Sequence, residues 1–287
     1  MTPPCCPPGS LPYLSASSGL GSPSSVPATS SLPPLPLYAA ANAPSPASRV
    51  VLVFTDVFGL DSGNHRTFAD ELQAGLPPGV AVLVPDVFYG APILRPWGGA
   101  YLPEKVGAAL GFLGMLWRLR FRHKPDGIVG GTVLGQLLPH LKKEHPGASF
   151  GCVGFCFGGW VVGNLLSMHC TAEACTVPQF DWGVGIHPAF NVERVHGREE
   201  MDLARRVARP VLLLPAGNDS AALKVGGEGV RAMAETLKVE EGEVSKEYKD
   251  MEHGWVTRGW GADGGLVQRR QREAVEDVIA FAGKHWK

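Results

Sequence analysis

Between positions 50 and 248, short runs of almost continuous apolar residues alternate with longer stretches whose apolar positions recur at helical spacing. The runs at 50–55, 80–85, 149–153, 182–186, 211–214 and 244–248 predict strands. Between them, 65–76 reads as a helix that starts after the cap-like Asn64 and stops at Pro77, and 103–119 and 126–144 form a longer helical interlude. Two more helices follow Gly158 and Gly226. The chain closes with 266–285, where Val267, Val275, Val278, Ile279 and Ala282 supply one apolar side. Strand–helix alternation of this kind predicts an α/β fold with a mostly parallel central sheet and helices on both faces. Residues 35–40 predict an outer strand, which Pro36 places at an edge. The expected division is an irregular head over 1–34 and a single domain over 35–287.

Composition narrows the class. The 287 residues are 45% hydrophobic and 18% charged with 37 glycines, which fits a sizeable core joined by tight turns. A formal net charge of −1 supplies no excess of positive charge for a polyanion, so no nucleic-acid partner is expected. The apolar runs fall well short of the roughly 20 residues of a membrane span, so no membrane partner is expected either. The head is rich in Pro, Ser, Gly and Ala, and the first charged side chain of the whole chain is Arg49, whereas an organelle transit peptide carries several arginines. Cysteines stand at 5, 6, 152, 156, 170 and 175, with Cys152 and Cys156 in an apolar strand-to-turn segment, and they read as thiols of a reducing, cytoplasmic compartment.

The chemistry begins at Gly154-Phe155-Cys156-Phe157-Gly158-Gly159, between a predicted strand and a predicted helix. A nucleophile raised on so sharp a turn has a strained backbone, and side chains two residues before and after it would collide, hence the small flanks. A thiol there also sits at a helix N-terminus, which favours thiolate and lets the Phe157 amide face an oxyanion. Alone, the pattern also suits a buried cysteine in a Gly-rich turn. The order of the acid and the histidine after it decides between the two. Asp219 ends a strand in Pro215-Ala216-Gly217-Asn218-Asp219-Ser220, and His253 comes next in Met251-Glu252-His253-Gly254-Trp255, ahead of the last helix. Nucleophile, acid and histidine in that order are the triad order of the α/β-hydrolase fold, with a turn-capping Asp and a loop His as the plainer readings. Thr55-Asp56-Val57-Phe58-Gly59 adds a carboxylate at the end of the first strand, where Asp56 would tune the thiol and the Val57 amide would complete the oxyanion hole.

These motifs, with Val84-Pro85-Asp86, resemble those of the dienelactone hydrolase family, the carboxymethylenebutenolidases, over roughly 50–281. The resemblance implies Cys156 as nucleophile, Asp219 as orienting acid and His253 as base, acting on a small-molecule ester or lactone without cofactor or metal. The opening Cys5-Cys6-Pro7-Pro8-Gly9-Ser10 is similar to the head of many eukaryotic members, and a monomer or weak homodimer is expected. Two positions depart from the bacterial pattern. The first-strand acid there is Glu, one methylene longer than Asp56, and a substrate-binding arginine follows the histidine closely, whereas Arg258 lies five positions on. Arg258 and Arg95 are the candidate carboxylate binders, with solvated surface arginines as the alternative; Phe58, Phe88, Tyr89, Trp97 and Trp255 are candidate pocket walls, with core aromatics as the equal alternative. His187 reads as a pocket-wall or core histidine, and His65, His140 and His145 as non-ligands. Rival readings are a glycan-directed hydrolase, as some plant relatives are named, and an idle relative that binds a ligand or senses redox state through Cys156.

Overall fold

The computed structural model describes residues 14–94, 113–167, 180–259 and 265–286. Their centre is a seven-stranded sheet in the order β1-β2-β4-β3-β5-β6-β7. The strands are β1 (Ser22–Val26), β2 (Leu35–Ala39), β3 (Arg49–Phe54), β4 (Val80–Pro85), β5 (Ser149–Phe155), β6 (Trp182–Ile186) and β7 (Val211–Leu214). β3 to β7 run parallel, and β1 and β2 complete one edge antiparallel. The strands lack polar alternation because both faces are covered. Val50, Leu52 and Phe54 point into one core, and Val51 and Val53 into the other.

The first core is closed by α2 (Leu138–Glu144), α3 (Phe157–Leu166), α4 (Glu200–Arg206) and α5 (Glu228–Leu237). After α5 comes the single turn α6 (Glu241–Val244), followed by the short α7 (Trp255–Arg258). That helix closes the second core together with α1 (His65–Gly75) and α8 (Leu266–His285). The interlude before β5 is wider than an α-helix in two places, with π-helical turns at Arg118–Arg122 and Asp126–Leu137.

Two expectations change. The segment 244–248 is not a ladder strand. Glu240, Glu241 and Glu243 favour the helical turn of α6, where acids complement the helix N-terminus. Only isolated parallel bridges, Ser245 to Leu213 and Tyr248 to Ala216, remain beside β7. β2 is not an edge, because β1, which lies within the head, pairs along its whole length. Pro36 is tolerated because the ladder between β2 and β4 covers only Leu37 to Ala39.

The head is fastened by one buried carboxylate. Asp70 on α1 accepts hydrogen bonds from the Leu20 amide (2.6 Å), the Ala41 amide (2.8 Å) and the Tyr38 hydroxyl (2.8 Å). Burial and the neighbouring Asp70 push the Tyr38 hydroxyl above its ordinary pKa, so it stays a donor. Further on, the Ser17 amide donates to the Gly63 carbonyl (2.9 Å) and the Gly63 amide to the Leu14 carbonyl (2.8 Å). The head thereby rests on the loop after β3.

The junction of β5 and α3 is closely packed. A Cβ on Gly154 would lie 2.1 Å from the Gly158 carbonyl oxygen, and one on Gly158 would lie 2.2 Å from the Phe54 carbonyl oxygen of β3. Both obstacles are backbone, which has little room to give.

This packing can be tested at two places. Asp70→Ala strands three donors, and urea unfolding should show a loss of about 2 kcal/mol with earlier proteolysis of the head; a change below roughly 0.5 kcal/mol would contradict the fastening. Gly158→Ala should cost about 3 kcal/mol or more. Gly242→Ala, where nothing lies within 4 Å, should be neutral or mildly stabilising. Equal effects of the two would contradict the steric origin of the cost.

Candidate active site

β5 ends at Phe155, α3 begins at Phe157, and Cys156 between them has φ 51° and ψ −110°. Left-handed φ on a residue with a side chain is strained by roughly 1–3 kcal/mol and persists only where the surroundings impose it. Here they do. The Cys156 amide donates to the Ile186 carbonyl at the end of β6 (3.1 Å), and its carbonyl accepts from the amides of Gly159 (3.0 Å) and Ala189 (3.0 Å). The side chain is fully buried at the N-terminus of a ten-residue helix. Cys152 lies inside β5, where burial pushes its thiol far up, so it stays protonated and inert. Cys5, Cys6, Cys170 and Cys175 lie outside the described residues.

The carboxyl end of β7 supplies the acid. Residues 215–220 turn so that Asp219 Oδ2 accepts from the Ala216 amide (2.7 Å) and Oδ1 meets His253 Nδ1 at 2.5 Å. Both side chains are buried. With Nδ1 given to the carboxylate, the histidine is held in the tautomer whose basic nitrogen is Nε2. The His253 backbone is fixed as well, since its amide donates to Asn218 Oδ1 (2.7 Å).

His187 matters more than its sequence position suggested. It follows β6 with φ 38°, and its amide donates to the Leu214 carbonyl at the end of β7 (2.9 Å). Its ring meets that of His253 edge to face at 4.7 Å. Because Ile186 binds the Cys156 amide and the next residue packs on His253, the end of β6 joins the elbow to the Asp219–His253 pair. The available signal was its place at the carboxyl end of a strand beside the elbow strand.

The loop after β3 approaches from the other side. Asp56 Oδ1 accepts from the Phe58 amide (3.0 Å), and Oδ2 accepts from Thr257 Oγ1 (3.3 Å) and lies 3.6 Å from Arg258 Nε. Arg258 is only 3% exposed at its side chain, so it is not a solvated surface arginine. Its guanidinium stacks over the Phe58 ring at 5.2 Å. Gly254, at φ 93°, leaves the room for this group, which a Cβ there would strike at 2.3 Å. His65 is neutral: burial lowers its pKa, its Nδ1–H donates to the Ser62 carbonyl (2.7 Å), and its Nε2 accepts from the Asp56 amide (3.2 Å).

The aromatic candidates separate. Phe88 packs on His123 (5.1 Å) and Phe157 (5.5 Å), next to the elbow. Tyr89 turns its hydroxyl to Gln136 (2.6 Å). Trp255 instead lies in the second core, 4.6 Å from the Tyr248 ring, and forms part of the scaffold beneath the histidine loop. Arg95 and Trp97 lie outside the described residues. Among the described residues, no group of three His, Cys, Asp or Glu side chains is placed to hold a metal ion.

Comparison with known proteins bears on this arrangement. The Homo sapiens carboxymethylenebutenolidase homolog is 29% identical over 124 residues, 43% of this chain and 43% of that protein. The chain thus spans less than half the length of that relative. Among solved structures, the Pyrococcus furiosus esterase Pf2001 superposes with a TM-score of 0.55 at 16% identity, covering 96% of this chain and 99% of that one. The dienelactone hydrolase from Anabaena variabilis ATCC 29413 does so with a TM-score of 0.50 at 15% identity, covering 94% and 100%. At such identities the likeness is one of fold, the α/β-hydrolase fold. The model of the dienelactone hydrolase family matches residues 37–285, and on that match the chain belongs to this family.

Proposed function

We propose that the protein hydrolyses a carboxylic ester or lactone through a thioacyl-enzyme on Cys156. The observation that carries this reading is the strained, buried cysteine at the β5–α3 elbow, on the same sheet edge as a histidine whose Nδ1 lies 2.5 Å from a buried carboxylate. Strain of this kind concentrates at reacting groups.

The Cys156 thiol passes its proton to His253 Nε2, and the resulting thiolate, which the helix dipole of α3 favours, adds to the substrate carbonyl carbon. The carbonyl oxygen takes the negative charge, for which the amides of Phe157 and Val57 are the proposed donors, each worth roughly 3–4 kcal/mol. Collapse breaks the bond to the alkoxide, which takes the proton held on His253 Nε2. Nε2 then removes a proton from water, whose oxygen attacks the thioester and returns the sulfur as thiolate. Asp219 orients the ring and stabilises its charged form. For a lactone, the alkoxide stays tethered to the acyl group, so water must enter before the ring recloses.

Asp56 is the proposed thiol-tuning acid, and its contacts with Thr257 and Arg258 tie that role to the loop carrying His253. Arg258, beside Phe58, is a proposed contact for a substrate carboxylate, and Arg95 and Trp97 extend the same proposal. A redox-sensing role gains no support among the described residues, where the other cysteine, Cys152, is locked inside β5 and cannot act as a resolving thiol.

Cys156→Ala and His253→Ala should each reduce p-nitrophenyl acetate turnover to background in a protein that still unfolds cooperatively, whereas Asp219→Asn should lose about 10²- to 10⁴-fold in kcat. Wild-type turnover in either alanine variant would rule out the mechanism. Iodoacetamide alkylation of Cys156, followed by peptide mass spectrometry across pH, should show a midpoint below about 8.5. A midpoint at or above that value would mean that the elbow does not activate the thiol.

A further inference from the structure

The segment over 113–122 is two-sided. Met115 and Leu119 are fully buried in the same core as Phe88 and Phe157. On the opposite side Leu113, Trp117 and Phe121 are 60%, 59% and 59% exposed. A spacing of four residues puts them on one stripe, and the Trp117 and Phe121 rings lie 6.1 Å apart. The other large exposed hydrophobics among the described residues, Leu20, Val225 and Val239, are far apart in the chain. Isolated exposed apolar residues are ordinary, but a contiguous stripe with two large aromatic rings marks a contact surface.

Its charge indicates what the stripe meets. Arg120 and Lys124 are exposed, and Arg120 lies over the Phe121 ring at 5.7 Å. Arg118 points inward, donating to the Ile93 carbonyl (3.1 Å). Behind the stripe, burial lowers the pKa of His196 and Arg198 lowers it further, Glu193 raises it, and Arg120 and Lys124 lower it by smaller amounts. The exposed acid nearby in sequence is Asp126. Apolar rings flanked by cations suit a lipid–water interface, where rings enter the acyl boundary and cations meet anionic headgroups.

We propose that the outer face of the 113–124 segment is a peripheral docking surface for membranes bearing anionic lipid. The contact lies on the surface and does not depend on the chemistry assigned to Cys156, so its test reads binding alone.

Sedimentation of the full chain with vesicles of phosphatidylcholine, with and without about 30% phosphatidylserine, measures it directly. The expected result is binding at least about tenfold tighter to the anionic vesicles, weakening as salt rises from about 0.05 to 0.5 M. Trp117→Ser with Phe121→Ser should lose that binding about tenfold or more, and Arg120→Glu with Lys124→Glu should abolish the anionic preference. Unchanged unfolding midpoints confirm that both variants fold. No vesicle binding, equal binding to the two compositions, or binding unaffected by both variants would overturn the proposal. So would self-association that the Trp117/Phe121 variant abolishes in a protein that ignores vesicles, because it would assign the stripe to a second copy.

Discussion

The contact on which the rest of the site depends is that of α3 with the ends of β3 and β5, where two glycines let backbone meet backbone. Only with no Cβ on Gly154 and Gly158 does the helix start close enough for Cys156 to take φ 51° and ψ −110°. Everything chemical at this residue depends on that approach. The turn lifts the sulfur out of the strand, places it at the helix N-terminus, and leaves the Phe157 amide at the mouth of α3. The cost of the strain is met by the hydrogen bonds around Cys156, above all its amide to Ile186 and its carbonyl from Ala189.

The other groups reach the same sheet edge because parallel strands present their carboxyl ends together. β3 brings Asp56, β6 brings His187, and β7 brings Asp219, with the connection after Tyr248 returning His253 to it. Cross-links then stiffen the edge. The Asn64 amide donates to the Thr257 carbonyl (2.9 Å), Thr257 reaches Asp56, and the head holds Gly63 from outside. The loop after β3 and the histidine loop thus behave as one unit, with Arg258 buried between Asp56 and the Phe58 ring.

Much of this was legible in the chain. Gly-x-Cys-x-Gly-Gly carries a steric requirement, and Asp219 and His253 come after it in the one order the fold accepts. Other features left no pattern to read. β1 has four exposed residues and one buried, so Ser-Pro-Ser-Ser-Val offers no apolar alternation and its strand state depends wholly on β2. The 244–248 segment has strand-like residues, but acids before it complete a helical turn first. His187 took its importance from a neighbouring strand, and Arg258 from the space left by Gly254, both of which are tertiary facts. Trp255 had the position of a pocket wall, yet its ring turned toward Tyr248 in the opposite core.

The central claim is that the sulfur of Cys156 bonds covalently to the acyl group of the substrate. Rapid acid quenching during turnover of activated esters and lactones, followed by mass spectrometry of the Cys156 peptide, measures this most directly. The predicted result is an acyl adduct on Cys156 that forms in the wild type and is absent from the same peptide of Cys156→Ala. An ester substrate turned over with no adduct on Cys156, or with the acyl group on another residue, would contradict it.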